Sequence, residues 1–554
     1  MAEDKVDDIK KTLKILGEVR SQREAVWQDI IDYVLPGLET VLIQDVADRG
    51  KRIGTKRYDG SGVSALQLFA DGLYGYLVSP SIPWLRLKMG TVVMEIPEVR
   101  VWLQTIEEHF YSVFSGTNFY ESMSTYFEYT PAFGFGVLYS EEDVSRNKIV
   151  FHVYHPGECY IAENKYGFVD QIYRKCKIEA YKAYEMFGEN LSPNLKASLK
   201  TDKFKLHDFI HAVYPRKNRD DSKIDSGNKP FESIWIQVGA EPKSKIVREK
   251  GYDWNPYHVW RFKKGTTPYG IGPAEDALIE IMGASQISKS LLKAAELSVD
   301  PPYNVPSNLY GKVDITPHGF NYFDDPANII KPTFTGITFP VGVDREERMQ
   351  KAIERHFKVE FFTLLSQQEN RAKTATEVIE LQGEKAAVLG RPIGRLNTEC
   401  LNPIIDRVFQ IELNAGRLPP MPDILLERFA GHNIEVDYMG PLAQAQKKLF
   451  QMQGYLHGLD QIGPVLQIRP EVADIIDWDE TARGILQVHG FPQKAIIDKT
   501  LVEKIRQARL QAMQQESAMQ ELEQGVGLAK GIGEAGQAMQ GLEGMIPGAA
   551  GGQI

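Results

Sequence analysis

The 554-residue chain has no run of eighteen or more uncharged apolar residues, so no membrane-spanning helix is expected from it. Its opening residues, Met1-Ala-Glu-Asp-Lys-Val-Asp-Asp8, lack the basic and apolar regions of a secretory signal. Cysteine is scarce. The three present, Cys159, Cys176 and Cys400, show no C-x-x-C spacing, which excludes a disulfide framework and a zinc knuckle and fits a reducing compartment. Basic residues are in deficit: 64 Lys and Arg face 74 Asp and Glu, for a net charge of -10. A protein that grips phosphates tightly needs a basic face that releases counterions. A static nucleic-acid clamp is therefore disfavoured, whereas a conduit past which a duplex slides is not.

The usual signatures of catalysis are missing as well. No G-x-x-x-x-G-K-[ST] and no G-x-S-x-G occurs. Tyr269-Gly-Ile-Gly272 lacks the third glycine of a dinucleotide fingerprint and runs into a proline-started helix. His152 and His155 are the best metal-like pair, but on a strand positions i and i+3 point to opposite faces, so packing histidines are the better reading. Cys159 and Cys176 lie in strand-like segments and read as buried small hydrophobes. Phe114-Ser-Gly-Thr-Asn-Phe-Tyr120 could stack nucleobases, yet an aromatic core helix explains it as well. The basic stretch from Arg49 to Arg57 reads as a solvated loop. Neither a cofactor nor an enzyme activity is expected.

What the chain does contain is a sequence of ordinary globular elements, with 43% hydrophobic and 25% charged residues. Helical spacing predicts an amphipathic helix over 5–35, stopped at Pro36-Gly37, and a second over 64–78. Trp84 to Met89 alternates like a strand, 97–129 reads as helical and aromatic, and Val137–Val144, Ile149–Ile161 and Phe168–Cys176 read as a small antiparallel sheet. A polar loop, 218–230, separates strands at His207–Pro215 and Ser233–Val238. From Ala274 to Val299 the pattern predicts one helix of roughly 39 Å at 1.5 Å per residue, with Gly283-Ala-Ser285 small enough at its centre for a second helix to approach. A proline-rich excursion, 300–342, precedes another helix over 343–365 that carries Glu347/Lys351 and Glu354/Lys358 at i,i+4. The polar run Ser366 to Lys373 reads as a loop, and Thr374-Ala-Thr-Glu377 caps a helical tract to Leu413 that Gly390-Arg-Pro392 should kink. Short helices are expected over 442–515, then a Gln/Glu/Gly/Ala/Met-rich tail.

The order of a dozen short motifs resembles the head-to-tail connecting (portal) proteins of short-tailed, podovirus-type bacteriophages over about residues 10–510. They include Tyr33-Val-Leu-Pro36, Tyr58-Asp-Gly-Ser61, Leu77-Val-Ser-Pro80, Gly134-Phe-Gly136, Tyr269-Gly-Ile-Gly-Pro273, Pro301-Pro302, Thr374-Ala-Thr-Glu-Val378, Glu399 with Leu401 and Pro403, and Gly440-Pro-Leu-Ala443. The resemblance implies an α+β, predominantly helical portal fold assembled as a ring. Its parts would be a wing (1–272), a first stem helix (273–299), a clip (300–342), a second stem helix (343–365), a tunnel loop (366–373), a kinked helix and return (374–440), a crown (441–500) and a C-terminal barrel helix with tail (501–554). It also implies a dodecamer at the capsid portal vertex of the virion, made in the host cytoplasm. The implied partners are the terminase large subunit, tail adaptors, scaffold and major capsid protein, with double-stranded DNA crossing the channel without sequence specificity and no membrane. Loop residues Gln367, Gln368, Glu369, Asn370, Arg371 and Lys373 would then touch phosphates transiently. A tail adaptor would also be acidic and non-catalytic, but has no need of two long helices around a proline-rich module. A multidomain enzyme would show the native mass of a monomer to tetramer.

Overall fold

The computed structural model describes residues 2–38, 57–220, 222–223, 225–239, 244–299, 303–304, 331–332, 340–366, 389–428, 434–439, 464, 469–488, 496–497 and 501–514. Helix α1 (Ala2–Tyr33) and helix α2 (Ser61–Leu77) open the chain, followed by strand β1 (Leu85–Lys88). The aromatic stretch after it is two helices, α3 (Pro97–Ser115) and α4 (Phe119–Phe133), where one run over 97–129 was expected. Asn118 sits at the break because its amide is used elsewhere. It accepts from the Phe151 backbone N–H at 2.9 Å and donates to the Phe151 carbonyl at 2.6 Å. Phe114 and Phe119 stack across that break at 4.2 Å, in a core shared with Trp84, so these aromatics are packing residues.

The expected single small sheet is two. Strands β2 (Phe135–Asp143) and β3 (Lys148–Tyr154) form one sheet, with β9 (Tyr257–Arg261) on the other side of β2. A turn at Pro156, which cannot donate to a ladder, divides them from β4 (Cys159–Glu163). Strands β4, β5 (Val169–Glu179), β6 (Leu206–Pro215), β7 (Phe231–Gln237) and β8 (Lys245–Tyr252) then run as a five-stranded antiparallel meander in chain order. Helices α5 (Ala180–Phe187) and α6 (Pro193–Thr201), not anticipated, interrupt it between β5 and β6. They cover one face through Ala183, Phe187 and Leu195 on Phe209 and Trp235. The first turns of α1 cover the other, with Val6 and Ile9 on Ile210, Ile234 and Ile236. Burial on both faces is why Glu232 to Gln237 of β7 are buried one after another, with Ile234-Trp-Ile236 apolar throughout.

Helix α7 (Leu278–Val299) is preceded by a separate turn, Pro273–Asp276, with Ala277 between them, so the expected 274–299 helix is broken near its start. The expected helix over 343–365 is likewise divided into α8 (Pro340–His356) and α9 (Val359–Ser366). Lys358 at the junction has φ 54°, a left-handed conformation costly for a residue with a Cβ. The turn places Phe357 and Phe362 edge-on against Phe69 of α2. Helices α10 (Gly390–Leu396) and α11 (Asn402–Asn414) follow. A π-turn at Asn397–Leu401 departs from α geometry, while the tract leading into the kink expected at Gly390-Arg-Pro392 lies outside the described residues. Pro392 stands in the first turn of α10, where an N–H would be unpaired anyway, whereas Pro403 cannot bond the Glu399 carbonyl. Strand β10 (Glu435–Tyr438) pairs with β1.

The chain divides into two compact units, 1–89 with 102–464, and 90–101 with 465–554. In the second, helix α12 (Trp478–Val488) is capped by Asp477 and tied to the helix over 501–514 by Asp479 and Arg506, at 2.6 and 2.7 Å. The loop over 49–56, the body of 305–330, the run 367–388 and the tail from 515 lie outside the described residues.

Two buried histidines, His211 and His258, and the half-buried His155 are held neutral. His155 is pushed down to about 4 and His258 to about 3, chiefly by desolvation, and buried His211 lies well below its usual value for the same reason. His211 spends both ring nitrogens on hydroxyls, Tyr257 at 2.6 Å and Ser233 at 2.9 Å. The unfolded chain therefore takes up these protons first, near pH 6.5, so this contribution is complete above that pH and declines as pH falls. Each histidine contributes a slope of up to about 1.4 kcal/mol per pH unit. Urea midpoints should drop between pH 6.5 and 5, above the main carboxylate range; an unchanged midpoint there would contradict the assignment.

Candidate functional site

Helices α7 and α8 lie against each other in opposite directions. Leu291 meets Gly342, Ser288 donates to the Glu346 carboxylate, Gly283 faces Met349, and His356 approaches Glu280 at 3.9 Å. The close fit rests on the small residues singled out from the sequence. A Cβ at Gly283 would stand 3.0 Å from the Met349 sulfur, and the Ser285 hydroxyl accepts from the Tyr58 backbone N–H at 2.9 Å. The outward surfaces differ in kind. On α7, Ile279 is 83% exposed, with Leu292 and Val299 also open to solvent. On α8, Glu347, Arg348, Lys351, Glu354 and Arg355 are exposed, and Arg348 pairs with Asp344 at 2.9 Å.

At the root of this pair, chain segments cross too closely for side chains. Gly134 ends α4 at φ 84°, and a Cβ there would fall 2.3 Å from the Gly270 carbonyl. One on Gly272 would fall 2.1 Å from the carbonyl of Pro131. The motifs Gly134-Phe-Gly136 and Tyr269-Gly-Ile-Gly272 are thus two halves of one backbone contact. Beside it, Arg261 at the end of β9 is fully buried. Glu399 in the π-turn accepts from the Arg261 backbone N–H at 3.0 Å and from its guanidinium at 2.6 and 3.3 Å. Glu163 also accepts from the Arg261 guanidinium, whose Nη2 donates to the Gly167 carbonyl at 2.9 Å. Arg23 is paired with Glu275 just before α7. The described helices α7 and α8 lie between Arg261 and Glu399 in sequence, and they are also held to α2 and the segment before it, through Phe357 and Phe362 on Phe69 and through Gln350, which donates to Asp59 at 3.0 Å.

Glu399 belonged to the recurrent motifs, but Arg261 did not stand out. The available signal was a lone cation closing the apolar strand Tyr257-His-Val-Trp-Arg261. The expected loop residues Gln367, Gln368, Glu369, Asn370, Arg371 and Lys373 lie outside the described residues, as do Pro301-Pro302, Thr374 to Val378 and Gly440 to Ala443. His152 and His155 do not converge on a metal centre. His155 accepts from the Gly157 N–H at 3.0 Å, and no group of three His, Cys, Asp or Glu suited to a metal ion occurs among the described residues. All three cysteines are buried thiols; desolvation raises Cys176 to about 11 and Cys400 to about 12. No described helix is long and apolar enough to cross a membrane.

The family model for bacteriophage head to tail connecting proteins matches residues 6–497, and the chain belongs to that family. It is 28% identical to the portal protein of Salmonella phage epsilon15, over 94% of each chain. It is also 29% identical to the probable portal protein of Bordetella phage BPP-1, over 95% of each. A chain from the neck of an empty GTA particle computed with C6 symmetry aligns over 74% of this chain and 86% of that one, at 12% identity and a TM-score of 0.29, too slight a likeness to bear on the fold. The protein is therefore a portal, or head-to-tail connector, a structural virion component with capsid and tail partners and not an enzyme.

Removing one partner of a buried ion pair strands the other charge, at about 3–5 kcal/mol. Glu399→Ala leaves Arg261 with Glu163 and the Gly167 carbonyl, so it should lower unfolding stability toward the lower end of that range, whereas Arg261→Met combined with Glu399→Leu should lose less than the single change. Urea denaturation decides the matter; a single variant as stable as the parent would show that the pair is dispensable.

Proposed function

We propose that copies of this chain form a ring, twelve in number, at one capsid vertex. Double-stranded DNA is driven through it by the terminase large subunit and later leaves by the same route. Tail adaptors close the outer end, and scaffold and major capsid protein meet the ring during assembly. In this reading residues 1–272 are the wing, α7 and α8 with α9 the stem, 300–342 the clip, 366–373 the tunnel loop, 374–440 the kinked helix and return, 441–500 the crown and 501–554 the barrel and tail. The relatives' name as portal proteins supports it. So does the net charge, because a ring of chains at -10 each offers a duplex little net attraction and leaves it free to slide.

The observation that carries the ring is the apolar area left open on the helix pair. Ile279, Leu292 and Val299 face water on α7, among exposed Lys289, Lys293 and Glu296 and beside a helix whose exposed residues are mostly charged, and a neighbouring copy would cover that apolar area. Sedimentation or native mass should give about 0.75 MDa for twelve copies of 62.5 kDa. Because Ile279 is exposed, Ile279→Asp should leave the chain folded and shift it to small species. Parent protein that remains monomeric while folded would refute the ring.

The tunnel loop carries Arg371 and Lys373 against the single acid Glu369, the reverse of the chain's overall sign. That balance suits brief phosphate contacts, each weak enough to release. Replacing Arg371 and Lys373 by Ala should preserve assembly and change DNA retention or packaging, and particles with unaltered genome content and ejection would speak against a channel role for this loop.

A further inference from the structure

Arg407, on the inner face of α11, is only 8% exposed, yet among the described residues it has neither a hydrogen bond nor an ion pair. Its guanidinium carbon lies 4.8 Å from the centre of the Tyr252 ring, and that tyrosine's hydroxyl is 3.0 Å from the hydroxyl of Tyr139. Nε is sealed from solvent without a partner, while the two terminal nitrogens still reach water. The nearest carboxylates in the chain are Asp253 and Glu141, and each is engaged elsewhere. Lys229 holds Asp253 at 2.7 Å, and Arg248 stands 3.9 Å from Glu141. A further cationic neighbour is excluded at His258, which burial and Arg407 together keep neutral and whose Nδ1 is also without a partner. Where α11, β8 and β2 meet, Arg407 is therefore desolvated and feels Asp253 and Glu141 only from beyond ion-pair distance.

Among the described residues the other two buried arginines have their partners. Arg261 has two carboxylates, and Arg20 has Glu24 with the Gly157 carbonyl. A guanidinium left this way in a finished structure costs several kcal/mol, and a cation–π contact returns only a part of that. We propose that Arg407 is the buried half of an ion pair between subunits, completed by a carboxylate from a second copy of this chain. The inference rests on the ring reading above and assigns one of its contacts. The supply of partners is ample, with ten more acidic than basic residues per copy. The planar guanidinium, with both terminal nitrogens turned to solvent, is shaped for a bidentate carboxylate.

The test is Arg407→Met, which keeps the length and the packing on Tyr252 but removes the charge, with Arg407→Lys beside it. In the subunit alone, deleting an unpaired buried charge should leave the thermal midpoint equal or higher. In the assembly it should strand the neighbour's carboxylate and weaken each interface by about a hundredfold or more, read as loss of rings at concentrations where the parent is fully assembled. Arg407→Lys, which keeps the charge and loses the fork, should fall between. Arg407→Met rings that assemble like the parent would overturn the proposal and leave the ring reading intact. A subunit midpoint that falls with Arg407→Met would mean that the arginine is satisfied within its own chain, and would overturn it too. Inorganic phosphate that raises the parent subunit's midpoint but not the variant's, with assembly unchanged, would assign Arg407 to a small anion instead. A parent chain that never forms rings would remove both readings together.

Discussion

The ion pair between Arg261 and Glu399 decides what the rest of the chain can be. It joins residues 138 apart in sequence, and the intervening segment contains both long helices and everything carried at their far end. Helices that reach away from a body act as levers on their own root. A root made only of loops would let them swing. Here the root includes a buried guanidinium with three acceptors, two carboxylates and a backbone carbonyl, next to glycines packed backbone to backbone. Neither contact tolerates small displacement, since hydrogen bonds weaken steeply with angle and a backbone crossing near van der Waals contact has no slack. The π-turn is what brings Glu399 inward, so Pro403, which forces that turn, is part of the same device.

The helix pair itself shows how one element can serve two surroundings. Between α7 and α8 the contacts are small against large, Gly283 under Met349 and Gly342 under Leu291, which fixes the separation of the axes. Away from that seam α7 turns Ile279, Leu292 and Val299 to water among Lys289, Lys293 and Glu296, while α8 turns mainly ions with Val343. Apolar area left exposed in this manner favours association, while an adjacent charged strip limits the ways in which association can occur.

Much of this was legible from the residues because helical and strand periodicities survive wherever one face is buried. The spans of α1 and α2, strands β6 and β7 with their exposed loop, and the small-residue centre of α7 all follow from local pattern. What escaped reading depends on partners distant in the chain. Asn118 breaks a helix to serve Phe151, Ala277 and Lys358 interrupt helices whose composition shows no breaker, and α5 and α6 exist to cover a sheet face that only the fold creates. Pro392 and Pro403 make the same point, because proline's effect depends on where in a helix it falls, and the sequence does not mark that place. The site was legible in one half, Glu399, through recurrence of a family motif, and illegible in the other, since Arg261 becomes special only when Glu163 and Glu399 arrive beside it.

The pairing of β1 with β10 carries a consequence for how the subunit is made. Leu85 lies opposite Tyr438, and Trp84 stacks on Tyr438, so a strand born early finds its partner only when four-fifths of the polypeptide exists. The meander from β4 to β8, by contrast, is built of neighbours and closes short loops. On the logarithmic scaling of loop closure, joining β1 to β10 costs about 4 kcal/mol more than closing a five-residue hairpin. The five-stranded sheet can therefore take shape on the ribosome with the first turns of α1 laid across it, while β1 and the Trp84 cluster lack their last partner until translation is nearly over. Closing this short two-stranded ribbon is accordingly among the last steps in making the subunit.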